Sequence, residues 1–368
     1  MPRIGIDLTA CWRPRVGMVS AALGLSRALV ELGPASDVTL FCSRLRPPGF
    51  PAATRAVLSP HRHEIANKLA WLPFVEGQAG LDVIIYPYWP TPPRRSAQAP
   101  PAAVFVHDLA FRVRPGEVPW QQRLYLGTLL PSALKLAAAV LVPSDATRRD
   151  LLHHYPLANL DERITIVGEG PSGLGEEAGP LPAGLAPGFL LAVGTIEPRK
   201  NYPRLLDAYA SLRASRGEST PPLVVVGRTG WAYGDALERL RRAPGVVLLG
   251  HIDDAALLGL YRAAAALVFV SLYEGFGLPL LDAMVEGLPT LIGTRGSLPE
   301  LAAGAALEVD PERPDQIAAG IARLLDDQPL RAELIQTGRR RAAQFSWQVT
   351  AERVRDVLWS VADQTMAR

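Results

Sequence analysis

Short apolar runs rich in β-branched residues alternate along the chain with longer segments in which apolar positions recur at helix spacing. Strands of a parallel sheet are covered on both faces, so they read as continuous apolar runs. The alternation therefore predicts an α/β protein with parallel sheets and helices on both faces. In the first half the predicted strands are RIGIDL, VTLFC, DVIIY, AAVFVHD, AAVLVPS and RITIVG, and Ser144 or Asp145 is the predicted cap of the helix in SDATRRDLLHHYP.

The pattern restarts after segment 168–188, which is dense in Gly and Pro and predicts an interdomain linker. The predicted strands there are FLLAVG, PLVVVG, GVVLLG, ALVFVS and PTLIG. Two such sheets in tandem predict a ligand-binding cleft at the carboxyl ends of their strands. The predicted helices lie around 202–215, 235–243, 254–265 and 279–286, and a last helical pair covers 314–343 and 347–363.

Composition narrows the class of protein. A length of 368 residues suits two domains, and an apolar fraction of 48% lets each of them bury a core. A formal net charge of +2 argues against nucleic acid as the main partner. Residues 1–172 carry 18 Lys and Arg against 13 Asp and Glu, so this half is mildly basic and compatible with an anionic substrate or a membrane surface.

The predicted location is the cytoplasm. Two cysteines, Cys11 and Cys42, make no disulfide framework and suit a reducing compartment. The start MPRIGIDLTA lacks the plan of a signal peptide, and no apolar run is long enough to cross a bilayer. Trp71, Lys68 and Arg62 allow an amphipathic helix in peripheral contact with the inner face of the cell membrane. The alternative is a core tryptophan beside a solvated face.

One motif match does not support a dinucleotide site. Gly168, Gly170 and Gly173 satisfy G-x-G-x-x-G after a predicted strand. The fingerprint also requires a helix that begins directly behind it. The residues that follow are Gly, Pro and Ala without periodicity, so the sequence does not favour a dehydrogenase.

The stretch SLYEGFGLPLLDAMVEG, residues 271–287, places Glu274 and Asp282 on either side of a glycine turn. Glu274 on a strand-to-helix loop is suited to bind a neutral polyol through hydrogen bonds, and Asp282 in the first helical turn to accept from further hydroxyls. The alternative is that Asp282 only complements the helix dipole while Glu274 faces solvent.

The turn itself is suited to phosphate. Pro279 fits the first turn of a helix, and Gly275 and Gly277 let a ligand approach the main chain. The amides before Pro279 and those of Leu280 and Leu281 are predicted to point outward at the positive end of the helix. A phosphate flanked by two hydroxyl-binding acids describes a nucleotide-sugar.

A second polar turn lies in AVGTIEPRKNYPRLLDAY, residues 192–209. Arg199 and Lys200 follow a predicted strand, where two cations suit a diphosphate leaving group. The alternative is a surface turn with solvated charges.

These two stretches, in this order, resemble the retaining glycosyltransferases of family 4, which have the GT-B fold. The segments VFVHDLAF and VLVPSDATRRDLLHHY are similar to the amino-terminal half of its O-antigen mannosyltransferase branch. The carboxyl-terminal half of that branch is matched by GTIEPRKN, GHID, SLYEGFGLPLLDAM, GTRGSLPEL and FSWQVTAERV.

The resemblance implies two Rossmann-like, doubly wound parallel-sheet domains that face each other across a cleft. Residues 1–172 would bind the acceptor, and residues 173–345 the nucleotide-sugar donor. Residues 346–368 would form a helix that crosses back to the amino-terminal domain.

The resemblance also implies roles for individual residues. Glu274 matches the first acid of the family's E-x7-E motif, which contacts the donor sugar, and Asp282 the second, which holds the ribose hydroxyls. Lys200 matches a basic residue on the donor diphosphate. His107 matches a histidine on the acceptor side, although a histidine at a strand end is also a common structural residue.

Further donor contacts follow from the same match. Gly17 falls in a glycine loop close to the diphosphate, and His251 and Ile252 resemble the segment whose backbone flanks the nucleobase. The remaining predicted donor-binding residues are Arg199, Thr195, Gly275, Phe276, Gly277 and Leu278.

Three positions depart from the family pattern. Asp282 is one methylene shorter than the usual Glu, which predicts a longer or water-mediated ribose contact. Thr195 stands where many relatives have an arginine on the diphosphate, so Lys200 and Arg199 remain to balance that charge. The loop RPRVGMVS offers one glycine where relatives often have two.

The expected activity is that of a retaining glycosyltransferase, with a saccharide or lipid-linked acceptor in surface polysaccharide synthesis and mannose from GDP-mannose as one candidate donor. The chain contains no D-x-D motif. This removes the usual metal clamp of the other large glycosyltransferase fold. The resemblance implies no metal requirement, no cofactor is expected, and Lys200 with helix-terminal amides would offset the charge on the leaving group. A catalytically silent GT-B scaffold that binds a partner or a nucleotide-sugar is the alternative. A pyridoxal phosphate-dependent phosphorylase is a further one, although no cofactor-lysine motif stands out.

Overall fold

The computed structural model describes residues 2–11, 17–61, 64–88, 91–231 and 234–366. Within these ranges the chain divides into two compact units. The first unit comprises Met1–Val113, Trp120–Ser172 and Phe345–Arg368, and the second comprises Arg114–Pro119 and Gly173–Gln344.

The first unit contains a seven-stranded sheet in which all paired strands are parallel, with the order β3-β2-β1-β4-β5-β6-β7. Its six predicted strands are present, and the seventh, β3, is an edge strand that the pattern does not predict. The strands are β1 (Ile4–Leu8), β2 (Val38–Ser43), β3 (Arg55–Ser59), β4 (Val83–Tyr86), β5 (Ala102–Phe105), β6 (Ala139–Val142) and β7 (Ile164–Ile166).

Helices cover this sheet. Ser144 is the cap of α6, and its Oγ accepts a hydrogen bond of 3.1 Å from the amide of Thr147, which confirms one of the two predicted caps. The helices are α1 (Gly17–Glu31), α2 (Glu64–Ala66), α3 (Leu72–Gln78), α4 (Ala110–Val113), α5 (Trp120–Leu136), α6 (Asp145–His154) and, from the end of the chain, α14 (Trp347–Met366); a π-helical turn, Asn67–Trp71, joins α2 to α3.

Helix α14 belongs to the core of the first unit because its apolar residues recur at helix spacing on one buried face. Ala351, Val354, Leu358 and Val361 are all in that core. The indole of Trp347 lies so close to α1 that a Cβ at Gly24 would be 2.5 Å from it.

The second unit contains a six-stranded parallel sheet with the order β10-β9-β8-β11-β12-β13. Its five predicted strands are present, and the short edge strand β13 is again the one that the pattern does not predict. The strands are β8 (Leu190–Val193), β9 (Leu223–Val226), β10 (Val246–Gly250), β11 (Ala266–Phe269), β12 (Thr290–Gly293) and β13 (Leu307–Val309).

The helices of the second unit agree with the pattern at four places and differ at two. The short helix Leu298–Ala302 is not predicted. The predicted helix over 314–343 is two helices, because Pro329 in the first turn of the second cannot continue the first. Asp327 between them accepts a hydrogen bond of 3.0 Å from the amide of Leu330. The helices are α7 (Tyr202–Arg216), α8 (Ala236–Arg242), α9 (Asp254–Ala263), α10 (Leu278–Glu286), α11 (Leu298–Ala302), α12 (Pro314–Asp326) and α13 (Gln328–Ala342).

The strand order fixes where a ligand site can form in the second unit. The chain builds outward from β8 through β9 to β10, then returns to place β11 on the other side of β8. The carboxyl ends of β8 and β11 therefore lie at the topological switch point, where loops diverge and leave space for a ligand.

Candidate functional site

The two polar turns singled out in the sequence meet at this switch point. Arg199 and Lys200 lie in a 3-10 turn, Pro198–Lys200, that follows β8, and Glu274 lies in the loop that follows β11. Lys200 Nζ is 2.6 Å from Glu274 Oε1, and an Arg199 guanidinium nitrogen is 2.7 Å from Oε2. The structure thus brings three predicted site residues into one cluster.

A fourth charged residue completes it. The Arg199 Nε lies 2.5 Å from Glu197 Oε1, and the Glu197 side chain is buried. We call Glu197, Arg199, Lys200 and Glu274 the Glu274 cluster. Two cations face two carboxylates in it, and Glu274 is only 7% exposed. Its members are therefore neither solvated turn charges nor a solvent-facing acid.

Burial and ion pairing oppose each other within the cluster. Burial raises the pKa of Glu274, but the charges of Arg199 and Lys200 outweigh it and lower the pKa to about 2. Burial lowers the pKa of Lys200, which Glu274 partly offsets. Burial also raises the pKa of Glu197 against the opposing charge of Arg199. Glu274 consequently stays ionised across the neutral range.

Asn201 holds the cationic turn in place. It adopts a left-handed conformation with φ of 61°, which Asn tolerates better than most residues, between the 3-10 turn and α7. Its side-chain amide donates to the carbonyls of Val270 at 3.1 Å and Pro311 at 2.6 Å. The amide of Leu272 donates to the Arg199 carbonyl at 2.7 Å. The turn after β8 is therefore tied directly to the loop after β11.

Ser297 holds the acidic loop from the other side. Its Oγ lies 3.0 Å from the carbonyl oxygen of Glu274 and 2.8 Å from that of Phe276, and the two carbonyls share its single hydrogen. Gly296 has φ of +63°, and a Cβ there would lie 2.7 Å from the Glu274 carbonyl. The segment GTRGS thus fits against the backbone that carries Glu274.

The start of α10 differs from the prediction. The amides of Leu280 and Leu281 donate to the carbonyl of Gly277 at 3.0 and 3.2 Å, so the prediction that they point outward toward a phosphate is wrong. A helix leaves only its first few amides unpaired, and α10 begins one residue before Pro279, at Leu278. Gly277 caps it with φ of 113°.

Asp282 and Phe276, on either side of the start of α10, are both buried. Asp282 lies in the second turn of α10, not in the first, and is 5% exposed. Burial and the neighbouring Asp282 raise the pKa of Tyr261 well above its usual value. Phe276 is buried beside Gly275 in the loop after β11.

A cavity of about 600 Å³ lies beside the carboxyl ends of β9 and β10. His251 lines it, whereas Ile252 is not among its lining residues. Thr195, partly buried, follows β8 next to this region, and a Cβ at Gly230 would lie 2.6 Å from its methyl group. The cavity thus adjoins the loop that leads to the Glu274 cluster.

His107 and Gly17 are the predicted site residues of the first unit. His107 follows β5 and is 7% exposed; its Nδ1 lies 2.7 Å from Glu169 Oε1 and its Nε2 2.8 Å from the Pro87 carbonyl. Since a carbonyl oxygen only accepts, Nε2 carries a hydrogen, and a second one on Nδ1 donates to the Glu169 carboxylate. Burial lowers the pKa of His107, but the bond to Glu169 outweighs it and the pKa is raised. Both ring nitrogens are thus engaged within the unit.

Gly17 is the exposed first residue of α1, and the loop residues 12–16 before it lie outside the described ranges.

The segment proposed to touch a membrane is only partly as expected. Lys68 is 1% exposed and pairs with Asp7, so the prediction that it joins Trp71 and Arg62 on a membrane-contacting helical face is wrong. Trp71 is partly buried and packs edge-on against Phe41 at 6.1 Å. Arg62 lies outside the described residues.

Several structural partners of the site carry no separate signal in the sequence. Asn201 and Ser297 stand inside GTIEPRKN and GTRGSLPEL, so their motifs indicate the region but not the hydrogen bonds. Glu169 stands in a segment interpreted as linker, and its pairing with His107 depends on the sheet order of the first unit. Glu197 reads as part of a polar turn.

Two properties of the described residues complete the site. Across the described ranges, no group of three or more His, Cys, Asp or Glu side chains is arranged as metal ligands would be. Across the same ranges, no helix combines the length and the apolar character needed to cross a bilayer. The expected metal independence and the peripheral membrane contact stay predictions.

Comparison with known families matches both halves of the chain. Residues 180–341 match the model described as glycosyl transferases group 1, and residues 16–170 match that of glycosyltransferase family 4. The chain is 33% identical over 262 residues to O-antigen chain mannosyltransferase B of Escherichia coli, covering 67% of each sequence.

Two further similarities define the extent of the match. The chain is 33% identical over 168 residues to the serotype-specific mannosyltransferase WbdA of Escherichia coli, which covers 44% of this chain but 20% of that longer relative. Its fold is similar to that of HepE from Anabaena in complex with UDP and glucose, with a TM-score of 0.71, 15% identity and coverage of 98% and 100% of the two chains. This second likeness concerns the fold alone.

Proposed function

We propose a reaction for this chain from the premise that it belongs to glycosyltransferase family 4 and is a glycosyltransferase with the GT-B fold. The proposed reaction transfers mannose from GDP-mannose to a saccharide or lipid-linked acceptor in surface polysaccharide synthesis. Retention of anomeric configuration and independence of metal are part of the proposal. The similarity to an O-antigen chain mannosyltransferase supports the choice of sugar and of acceptor class.

The Glu274 cluster is the observation that carries this proposal. A glycosyl donor leaves a nucleotide diphosphate, and the charge that develops there needs cations held in advance. Lys200 and Arg199 are held at the switch point of the sheet, where ligands of α/β proteins bind. In the proposed reaction Lys200 moves its interaction from Glu274 to the diphosphate as the donor enters.

Glu274 would then position the sugar. A carboxylate with a pKa near 2 stays ionised, so it accepts hydrogen bonds from sugar hydroxyls and supplies no proton at neutral pH. Its remaining pairing with Arg199 also makes it a weak nucleophile. Attack of the acceptor on the face that the leaving group departs from, with the phosphate taking the proton, accounts for retention without a covalent intermediate.

His107 has a more limited role in this proposal. Both of its ring nitrogens are bonded within the first unit, so it lacks the free nitrogen that a general base requires. We assign it the role of a positioning residue that fixes the loop between β5 and α4. The predicted contacts of Asp282 with ribose and of His251 with the nucleobase remain parts of the proposal.

A peripheral contact with the cytoplasmic membrane surface supplements the proposal. Ile65, Leu69 and Phe74 are 52%, 53% and 67% exposed in the helical segment 64–78 of the first unit. Exposed apolar side chains on one helical segment of a mildly basic half suit an anionic lipid surface. A lipid-linked acceptor would be reached there.

Calorimetric titration of the full chain with GDP, UDP and ADP tests the donor site. One nucleotide should bind in the micromolar range, and Lys200→Gln should weaken it about tenfold or more, because a charge-assisted contact to phosphate is lost. Arg262→Gln is a matched control, since Arg262 pairs with Glu286 on the surface at 2.8 Å. Failure of all three nucleotides to bind would leave the silent scaffold as the better account.

A further inference from the structure

The Glu274 cluster by itself offers little positive charge to a phosphate. Each of its two cations is within 2.7 Å of a carboxylate oxygen. A nucleotide diphosphate carries at least two negative charges at neutral pH, and burying a phosphate without compensating cations is unfavourable. A donor site at this switch point therefore needs a cation that no carboxylate already neutralises.

Arg228 meets that description. It follows β9 directly, lines the cavity of about 600 Å³ and is partly buried. Within the ranges that the structure describes, Arg228 forms no ion pair. Arg241 lines the same cavity but is paired with Glu238 at 2.9 Å. The two arginines thus differ in the charge they can offer to a ligand.

The backbone brings Arg228 next to the cluster. The carbonyl of Arg228 accepts a hydrogen bond of 2.8 Å from the amide of Ile196, and Gly230 donates to the Ile196 carbonyl at 3.1 Å. Ile196 precedes Glu197, the first residue of the Glu274 cluster. A Cβ at Gly227 would lie 1.9 Å from the carbonyl oxygen of Gly194, so the loops after β8 and β9 are in direct contact.

Thr195 stands between Gly194 and Ile196 in this contact. Neighbouring strands are about 4.8 Å apart, so an arginine at position 228 and one at position 195 would reach overlapping space. A short, uncharged side chain at 195 leaves that space open to Arg228. Thr195, which lacks a charge, and Arg228, whose charge is unpaired by any carboxylate in the described residues, therefore follow adjacent strands.

We propose that Arg228 binds the diphosphate of the nucleotide donor and supplies the charge that Thr195 does not. This inference rests on the proposed function, and it adds to it a binding residue on β9 that takes a phosphate group. Recognition of the base by the same guanidinium is the competing account, since arginine also binds the edge of guanine. The two accounts predict different effects of Arg228 on ligands that share a base but differ in the number of phosphates.

The experiment compares calorimetric titrations of a nucleoside and its mono- and diphosphate, using the base that the wild-type chain prefers. The variants are Arg228→Gln, Arg262→Gln and the double variant Thr195→Arg/Arg228→Gln. With Arg228→Gln, affinity for the diphosphate should fall about tenfold or more while that for the nucleoside stays within about twofold. Arg262→Gln, at a surface ion pair away from the cavity lining, should leave both unchanged, and Thr195→Arg should restore much of the lost diphosphate affinity.

Each outcome decides a different question. An equal loss of nucleoside and diphosphate affinity in Arg228→Gln would assign the guanidinium to the base and overturn the inference. Unchanged diphosphate affinity would overturn it as well, while the proposed donor site would stand. A wild-type chain that binds no nucleotide would overturn both. A circular dichroism spectrum and melting temperature like those of the wild type would exclude misfolding of the variants.

Discussion

At the scale of single residues, ion pairing outweighs burial in determining the pKa of the candidate site residue in each unit. Glu274 and His107 are each only 7% exposed, yet in each case a partner shifts the pKa toward the charged form. Lys200 stabilises the carboxylate of Glu274, and Glu169 stabilises the protonated ring of His107. Burial alone would favour the neutral form in both cases.

Glu169→Gln tests the state of His107. Removing the carboxylate leaves burial as the main influence, so the pKa of His107 should fall below its usual value. Because the pKa is raised in the folded wild type, the pair stabilises the fold below the usual pKa of histidine, and this contribution is lost as the pH rises through the folded value. NMR titration of the His107 ring measures the shift. An unchanged pKa would contradict the assignment.

At the scale of elements, close backbone contact between the loops after β8 and β9 positions the candidate site. Gly227→Ala should disrupt it, because the new Cβ would lie 1.9 Å from the Gly194 carbonyl at a φ of +157°. We expect a loss of about 3 kcal/mol or more in the free energy of unfolding and weaker nucleotide binding.

Gly217→Ala is the matched control for this change. Gly217 also has a positive φ, 61°, but a Cβ there meets nothing within 4 Å. With ψ of −141° this is a conformation that residues other than glycine rarely adopt, so the substitution should cost about 1–3 kcal/mol from backbone strain alone. Equal effects of the two substitutions, measured by chemical denaturation, would show that the contact with Gly194 does not matter.

The buried strands and the main helices of both sheets could be predicted from the sequence, because continuous apolar runs and helix spacing mark them. The edge strands could not. Arg55 and Leu58 of β3 are exposed, and β13 has three residues of which none is buried, so neither reads as an apolar run. Side-chain pairs between residues far apart in the sequence could not be predicted either. His107 and Glu169, for example, are 62 residues apart.

The sequence indicates where the site lies but not how its charges and hydrogen bonds are paired. GTIEPRKN and SLYEGFGLPLLDAM identify the two turns that meet, and parallel strands explain why they meet at one edge. That Glu197 neutralises Arg199, that Leu280 and Leu281 amides are used within α10, and that Asn201 joins the two turns all depend on side-chain and backbone geometry.

At the scale of the whole molecule, each unit has a parallel sheet with a topological switch point, but the two units carry different candidate functional features. The first carries exposed apolar side chains on the helical segment 64–78, and the second carries the Glu274 cluster. In the proposed reaction the first meets the membrane and the acceptor while the second binds the donor.

Vesicle sedimentation tests the membrane contact. The full chain should bind vesicles of phosphatidylethanolamine and phosphatidylglycerol, and Leu69→Ser/Phe74→Ser should weaken binding about tenfold or more, because buried apolar area is lost. Leu136→Ser is the matched control, since Leu136 is 48% exposed at the end of α5. Equal binding of all three proteins would contradict the contact.

The measurement that tests the central claim most directly is the release of sugar from GDP-mannose and UDP-glucose by the full chain, without added acceptor or metal. A glycosyltransferase usually transfers some sugar to water, so the wild type should release mannose. Lys200→Gln should reduce the rate about 100-fold, the usual effect of removing one group that stabilises developing charge. No release from any nucleotide-sugar that binds, or equal rates in wild type and Lys200→Gln, would contradict the assignment of the Glu274 cluster as the reactive centre.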